Sequence, residues 1–238
     1  AWFSAMIPLA ASLDIGVNMW PWKKMNCTNS PCSITPPEDW RLIVGYAAGG
    51  AHPGYEKARK ILTEYLRNML IEHCSINESI TAHVFRVPGC VIPGTAFDDA
   101  PGRGASYLPV GVHPSEIAYR ADTGMCLFKR FPALKRRFVF EGEWSRYVLR
   151  LSAGEFACYS LYDVSTQSKL EISCYCPETS VADIYQDDVL LGRFQLSGTE
   201  YPQLLSGLHL ANADACVIRI SVVEGTVDVD TLKTEPAI

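Results

Sequence analysis

Nine cysteines are the largest reserve of chemistry in this 238-residue chain. Thiols ligate metals, act as nucleophiles or pair as disulfides, and spacing separates these roles. Cys174 and Cys176 have one residue between them, too few for a zinc knuckle, and no histidine pair follows at finger distance. Cys27 and Cys32, with four residues between them, suit a small local disulfide. Asn26-Cys27-Thr28 and Asn77-Glu78-Ser79 are glycosylation sequons. With the cysteines, they point to a secreted, extracellular glycoprotein formed in an oxidising compartment. An odd cysteine count leaves at least one thiol free or joined to another chain.

Catalytic constellations are harder to find. Glu38 and Asp39 are adjacent, but neighbouring acids at the start of a helix are better read as macrodipole partners than as an acid/base pair. His52, His73, His83, His113 and His209 are scattered, and no Gly-x-Ser-x-Gly elbow presents a nucleophile. No catalytic residue, metal ligand or cofactor is therefore assigned. A net charge of -5 argues against nucleic acid. The one basic cluster, Lys129 to Arg137, is interrupted by Phe131, Pro132, Ala133 and Leu134 and reads as a solvated loop.

The elements that would carry these residues fall into two textures. An apolar share of 48% with 20% charged residues specifies a folded chain, and its length allows one large or two modest domains. Residues 1–20 are apolar, yet they lack a basic start and contain Pro8 and Asp14, so neither a membrane span nor a signal peptide is expected. They read as a short amphipathic helix (Trp2, Met6, Leu9) and a doubly buried strand, Leu13 to Met19, as if the chain opened in the middle of a parallel sheet. A loop to Pro37, a helix over 38–47 and a longer amphipathic helix over 55–73 complete a β-α unit. From Val87 onward, Pro and Gly recur and segments alternate, as in Tyr147–Leu151, Leu170–Cys174 and Val217–Val222. Short alternating strands between turns specify an antiparallel sandwich. The expected fold is thus mainly β, a jelly-roll β-sandwich over 87–238 preceded by a partial β/α barrel unit over 1–86.

These textures, in this order, resemble two known families. Gly16 to Lys23, Ser33 to Trp40 and the Tyr46 to Gly50 turn are similar to the last β-α unit of a glycoside hydrolase family 5 type barrel. Tyr119-Arg120, Gly142-Glu143-Trp144, Ala153 to Phe156, Asp187 to Gly192, Leu196 to Thr199 and Gly225 to Asp230 resemble a carbohydrate-binding module of family 6 or 35. In such barrels both catalytic carboxylates precede the last strand, so the resemblance implies a C-terminal, non-catalytic portion of an extracellular glycoside hydrolase. It implies Trp20 as a stacking residue in the barrel remnant. Tyr119, Trp144 and Tyr201 are the aromatic candidates of the sandwich, Tyr201 standing where the family usually has Trp, and Asp228 is the polar candidate. The family's calcium strand begins with two acids separated by one residue, whereas Val91 to Phe97 has neither, so the usual ion is expected to be absent, with cysteine cross-links as its substitute. The implied partner is a polysaccharide or glycan, with a preceding catalytic barrel chain or further copies of this chain as other partners. The alternative is a structural or assembly glycoprotein, or a lectin, with degenerate sugar and calcium sites.

Overall fold

The computed structural model describes residues 18–27, 30–111, 120–130, 147–165 and 167–236. They fall into two units divided between Thr81 and Ala82. None of the described helices is long and apolar enough to cross a membrane.

The first unit is a small mixed sheet with two helices. Strand β1 (Lys23–Met25) pairs in parallel with β2 (Cys32–Ile34), which pairs antiparallel with β3 (Ser75–Ile76). This arrangement differs from the all-parallel sheet of a barrel. The expected strand over 13–19 lies outside the described residues except for Asn18 and Met19, which have no regular structure. Helix α1 (Trp40–Ala47) starts two residues later than expected because Asp39 takes a left-handed φ of 58°. The Asp39 carboxylate binds Lys57 Nζ at 2.5 Å instead of capping the helix. Helix α2 (Tyr55–Asn68) has the expected amphipathic spacing, yet among its residues only Ile61 is fully buried, while Leu62 and Leu66 remain exposed.

Helix α3 (Glu78–Phe85) crosses the division and leads into the second unit. Here the expected antiparallel sandwich is what the chain adopts. One five-stranded sheet runs β11 (Val189–Leu196), β10 (Ser180–Gln186), β13 (Ala213–Glu224), β8 (Phe156–Val164), β5 (Tyr107–Leu108). The other runs β12 (Thr199–His209), β9 (Lys169–Cys176), β14 (Thr226–Glu235), β7 (Tyr147–Ser152), β6 (Cys126–Lys129), with β4 (Val91–Pro93) also paired to β14.

Alternation sets which side chains enter the core. On β9, Leu170, Ile172, Cys174 and Cys176 point inward and Glu171, Ser173 and Tyr175 outward. Cys216, Ile218, Ile220 and Val222 do the same from the opposite sheet, and both sets join one apolar cluster with Leu149, Leu151, Tyr159 and Phe97. Each such Leu or Ile contributes about 2 kcal/mol by leaving water. Gly94 is dictated by closeness: a Cβ there would lie 2.2 Å from the Val229 carbonyl oxygen. The buried Tyr159 hydroxyl donates to the Gly94 carbonyl at 2.7 Å, tying β8 to the turn after β4.

Candidate functional site

The outer face of the six-stranded sheet holds a polar row built by register. Cys126 on β6 lies opposite Arg150 on β7, Arg150 opposite Asp228 on β14, and Asp228 opposite Tyr175 on β9. Opposed residues share a face, so four strands present these side chains side by side, away from the core filled by Leu149, Leu151, Val227 and Val229.

Asp228 is the centre of this row. Its carboxylate accepts two hydrogen bonds from Arg150, Nε at 2.7 Å and Nη2 at 2.9 Å, and one from Arg130 Nη1 at 3.3 Å. The bidentate fork gives the pair both strength and a fixed orientation. Both guanidiniums also lie over aromatic rings, Arg130 at 3.6 Å from the Tyr175 centroid and Arg150 at 4.2 Å from that of Phe128. Hydrogen bonding to Asp228 raises the Arg150 pKa still further above neutrality. Burial and the nearby Asp230 push the Tyr175 phenol up, while Arg130 pulls it down.

Arg130 extends the row to the sheet edge. Its Nη2 donates to the Glu200 carbonyl at 2.9 Å. The next residue is Tyr201, in the stretch of β12 where register slips between Thr199 and Gln203. A slip of this kind re-aims side chains, and Tyr201 stands 79% exposed. The face thus carries guanidiniums of fixed orientation, and Arg130 ties them to the backbone next to an exposed tyrosine.

Of the residues expected from the sequence, the structure brings Tyr201 and Asp228 into one neighbourhood, joined by Arg130. Asp228 has a different part from the expected one. It is 0% exposed, and its oxygens are taken by the two arginines, so it positions them and does not meet a ligand itself. Trp20 belongs to the first unit, where its ring is 95% exposed. Tyr119 and Trp144 lie outside the described residues.

Arg130, Arg150, Phe128 and Tyr175 were not singled out in the sequence. The outward alternation of Arg150 in β7 was visible, but its partner is 78 residues away. Arg130 sits in the basic cluster read as a loop, where nothing local shows that it ends a strand facing Asp228.

The remaining expectations concern cross-links, glycans and the segment after β4. No disulfide is present among the described residues, and the expected Cys27–Cys32 bridge is not shown. Cys27 turns its sulfur toward Lys24 O at 3.7 Å and Ser30 Oγ at 3.3 Å, whereas Cys32 is buried in the sheet opposite Lys23. Nor is a cross-link present in the described part of the sandwich: Cys174 and Cys176 share the inward side of β9, where the neighbouring Cys176 and burial together push the Cys174 thiol up. Two buried arginines fasten the Val91–Phe97 segment instead. Arg86 donates to the Ala96 carbonyl at 2.8 Å and to Asp98 at 2.7 Å, and Arg120 donates to the Phe97 carbonyl while lying over the Phe97 ring. Among the described residues no group of His, Cys, Asp and Glu is arranged to hold a metal ion. Asn26 is exposed with a left-handed φ of 46°, and Asn77 Oδ1 accepts from Ile80 N at 3.4 Å at the start of α3.

The sandwich is similar to solved carbohydrate-binding modules. One is a family 6 module, 12% identical, with 63% of this chain and 96% of that chain covered at a TM-score of 0.43. A second, CsCBM6-3 of Clostridium stercorarium solved with cellobiose, is 11% identical with the same coverages and a TM-score of 0.42. A third, CBM36 in complex with calcium and xylotriose, is 16% identical over 45% of this chain and 87% of that chain, with a TM-score of 0.33. At these scores nothing about this chain's ligand follows from what those modules bind. No protein-family model and no curated protein matches the sequence.

Proposed function

We propose that the sandwich binds a polysaccharide or glycan, with Tyr201 as the stacking platform and the Arg130–Asp228–Arg150 row as its polar flank. Sugar recognition requires an open aromatic face for the apolar side of a pyranose and fixed polar groups for its hydroxyls. The observation that carries the reading is Tyr201, 79% exposed and directly after Glu200, whose carbonyl accepts from the Arg130 that Asp228 orients. Among the described residues Phe128 and Tyr175 are covered by arginines, whereas Tyr201 is exposed. The role is non-catalytic, within an extracellular, glycosylated protein that carries glycans at Asn26 and Asn77 and whose catalytic barrel is supplied elsewhere.

Affinity electrophoresis of the full chain through gels containing insoluble-fibre and soluble polysaccharides tests this. Wild type is retarded by at least one polysaccharide, and Tyr201→Ala loses most of that retardation while its melting temperature stays within about 2 °C, as for an exposed side chain. Equal retardation of both proteins, or none by any polysaccharide, refutes the proposal. In the latter case a structural or assembly role becomes the better account of an exposed tyrosine in this surface.

A further inference from the structure

Three cysteines lie in the first unit, and the sheet register distinguishes them. Cys32 is opposite Ile76 in the β2–β3 pair, with Ser33 opposite Ser75. Cys74 precedes β3 directly and keeps extended geometry, φ -80° and ψ 145°. Alternation puts Cys74 on the same face as Ile76, diagonal to Cys32.

Two further contacts bring the same groups together. Cys74 Sγ lies 3.6 Å from the Asn68 carbonyl and 4.0 Å from that of Met69, at the end of α2. The Met69 carbonyl also accepts from Lys23 Nζ at 2.7 Å, and Lys23 is the residue opposite Cys32 on β1. Cys74 and the Lys23 ammonium therefore meet at one carbonyl group, and Cys32 is the sheet neighbour of Lys23. Burial pushes the Cys32 thiol up, Cys74 adds to this, and Lys23 opposes both.

We infer that Cys32 and Cys74 form a disulfide when the protein meets a low-molecular-weight disulfide such as oxidised glutathione. Cys74, the more exposed thiol, loses its proton and its thiolate attacks one glutathione sulfur. The S–S bond of glutathione breaks and one glutathione leaves as thiolate. The Cys32 thiolate then attacks the Cys74 sulfur of the mixed disulfide and expels the second glutathione. Two protein thiols are oxidised, one glutathione disulfide is reduced, and the two protons lost by the protein pass to the two glutathione thiolates. Diagonal neighbours stand roughly 7–8 Å apart at Cα, beyond the usual limit of about 6.8 Å, so the bridge requires a backbone movement. Strand β3 is only two residues long, so a small shift of its start closes the difference. The bridge would join β2 to the segment after α2 in a unit with few buried side chains.

Peptide mapping without reduction decides the pairing. The full chain is equilibrated with oxidised glutathione, quenched in acid, alkylated, digested and sequenced by mass spectrometry. The expected product is a Cys32–Cys74 link that persists in Cys27→Ser and disappears in Cys74→Ser, a substitution at a half-buried position. Reduction is expected to lower the melting midpoint of the first unit by about 10 °C or more. A Cys27–Cys32 link, a stable glutathione adduct on Cys74, or alkylation of both Cys32 and Cys74 after equilibration overturns the inference.

Discussion

Replacing Asp228 by Asn tests the organisation of the outer face most directly. The substitution keeps the shape but removes the charge that two guanidiniums share. Breaking a buried ion pair from one side costs about 3–5 kcal/mol when the remaining charge is fully enclosed. Here the Arg130 and Arg150 side chains are 19% and 35% exposed, so water compensates part of the loss, and about 2–3 kcal/mol is the expected cost. For a sandwich of this size that corresponds to a fall of about 4–12 °C in melting temperature. Arg130→Ala, which removes a 3.3 Å contact to the carboxylate together with the bond to the Glu200 carbonyl and the stack on Tyr175 but leaves the Arg150 fork intact, is expected to cost less, about 1–2 kcal/mol. Calorimetry of the full chain, with the sandwich transition assigned through a buried-core variant such as Leu149→Ala, supplies the comparison. A shift below about 1 °C for Asp228→Asn, or a larger loss for Arg130→Ala than for Asp228→Asn, would refute the idea that this carboxylate organises the face.

Two further perturbations follow from the sandwich. Gly94→Ala sets a methyl group 2.2 Å from the Val229 carbonyl oxygen, a backbone atom that cannot turn aside, and is expected to cost about 3 kcal/mol or more, read as a lowered yield of folded protein and a lowered denaturation midpoint. Asp183 accepts from Arg193 Nε at 2.6 Å and Nη2 at 2.7 Å, and these hydrogen bonds hold its carboxyl below the ordinary aspartate range although burial opposes them. A carboxyl depressed by folding stabilises fully above its unfolded value and loses that contribution as pH falls through its folded value. Melting temperature measured from pH 7 down to pH 2 is thus expected to fall less steeply for Asp183→Asn than for wild type below about pH 4, and parallel curves would count against the assignment.

The sequence makes some elements legible and hides others for physical reasons. Period-two alternation is local information, so β7, β9 and β13 could be read from their own residues, and so could the inward side of Cys174 and Cys176. Tyr201 and Asp228 were found by resemblance, but the role of Asp228 depends on Arg150, 78 residues earlier, and on a register that no short window contains. The Cys27–Cys32 expectation failed for a similar reason. Closeness along the chain suggested a pair, while the sheet turned Cys32 inward and Cys27 toward Ser30. In α2 the spacing predicted the helix but carried it five residues past its end at Asn68, and periodicity does not state how much of the apolar face is covered, so Leu62 and Leu66 remain in solvent.

The fastening of the segment after β4 has a consequence for the conditions the sandwich tolerates. Carbonyl groups of Ala96 and Phe97 are held by cations that belong to the chain, Arg86 and Arg120. A dissolved ion serving such carbonyls would have an occupancy set by its concentration, by competing chelators and by the acidity of its other ligands. A guanidinium on a covalent stem has none of these dependences, since it cannot be diluted away. At this corner the hold on the two carbonyls is inherited with the sequence.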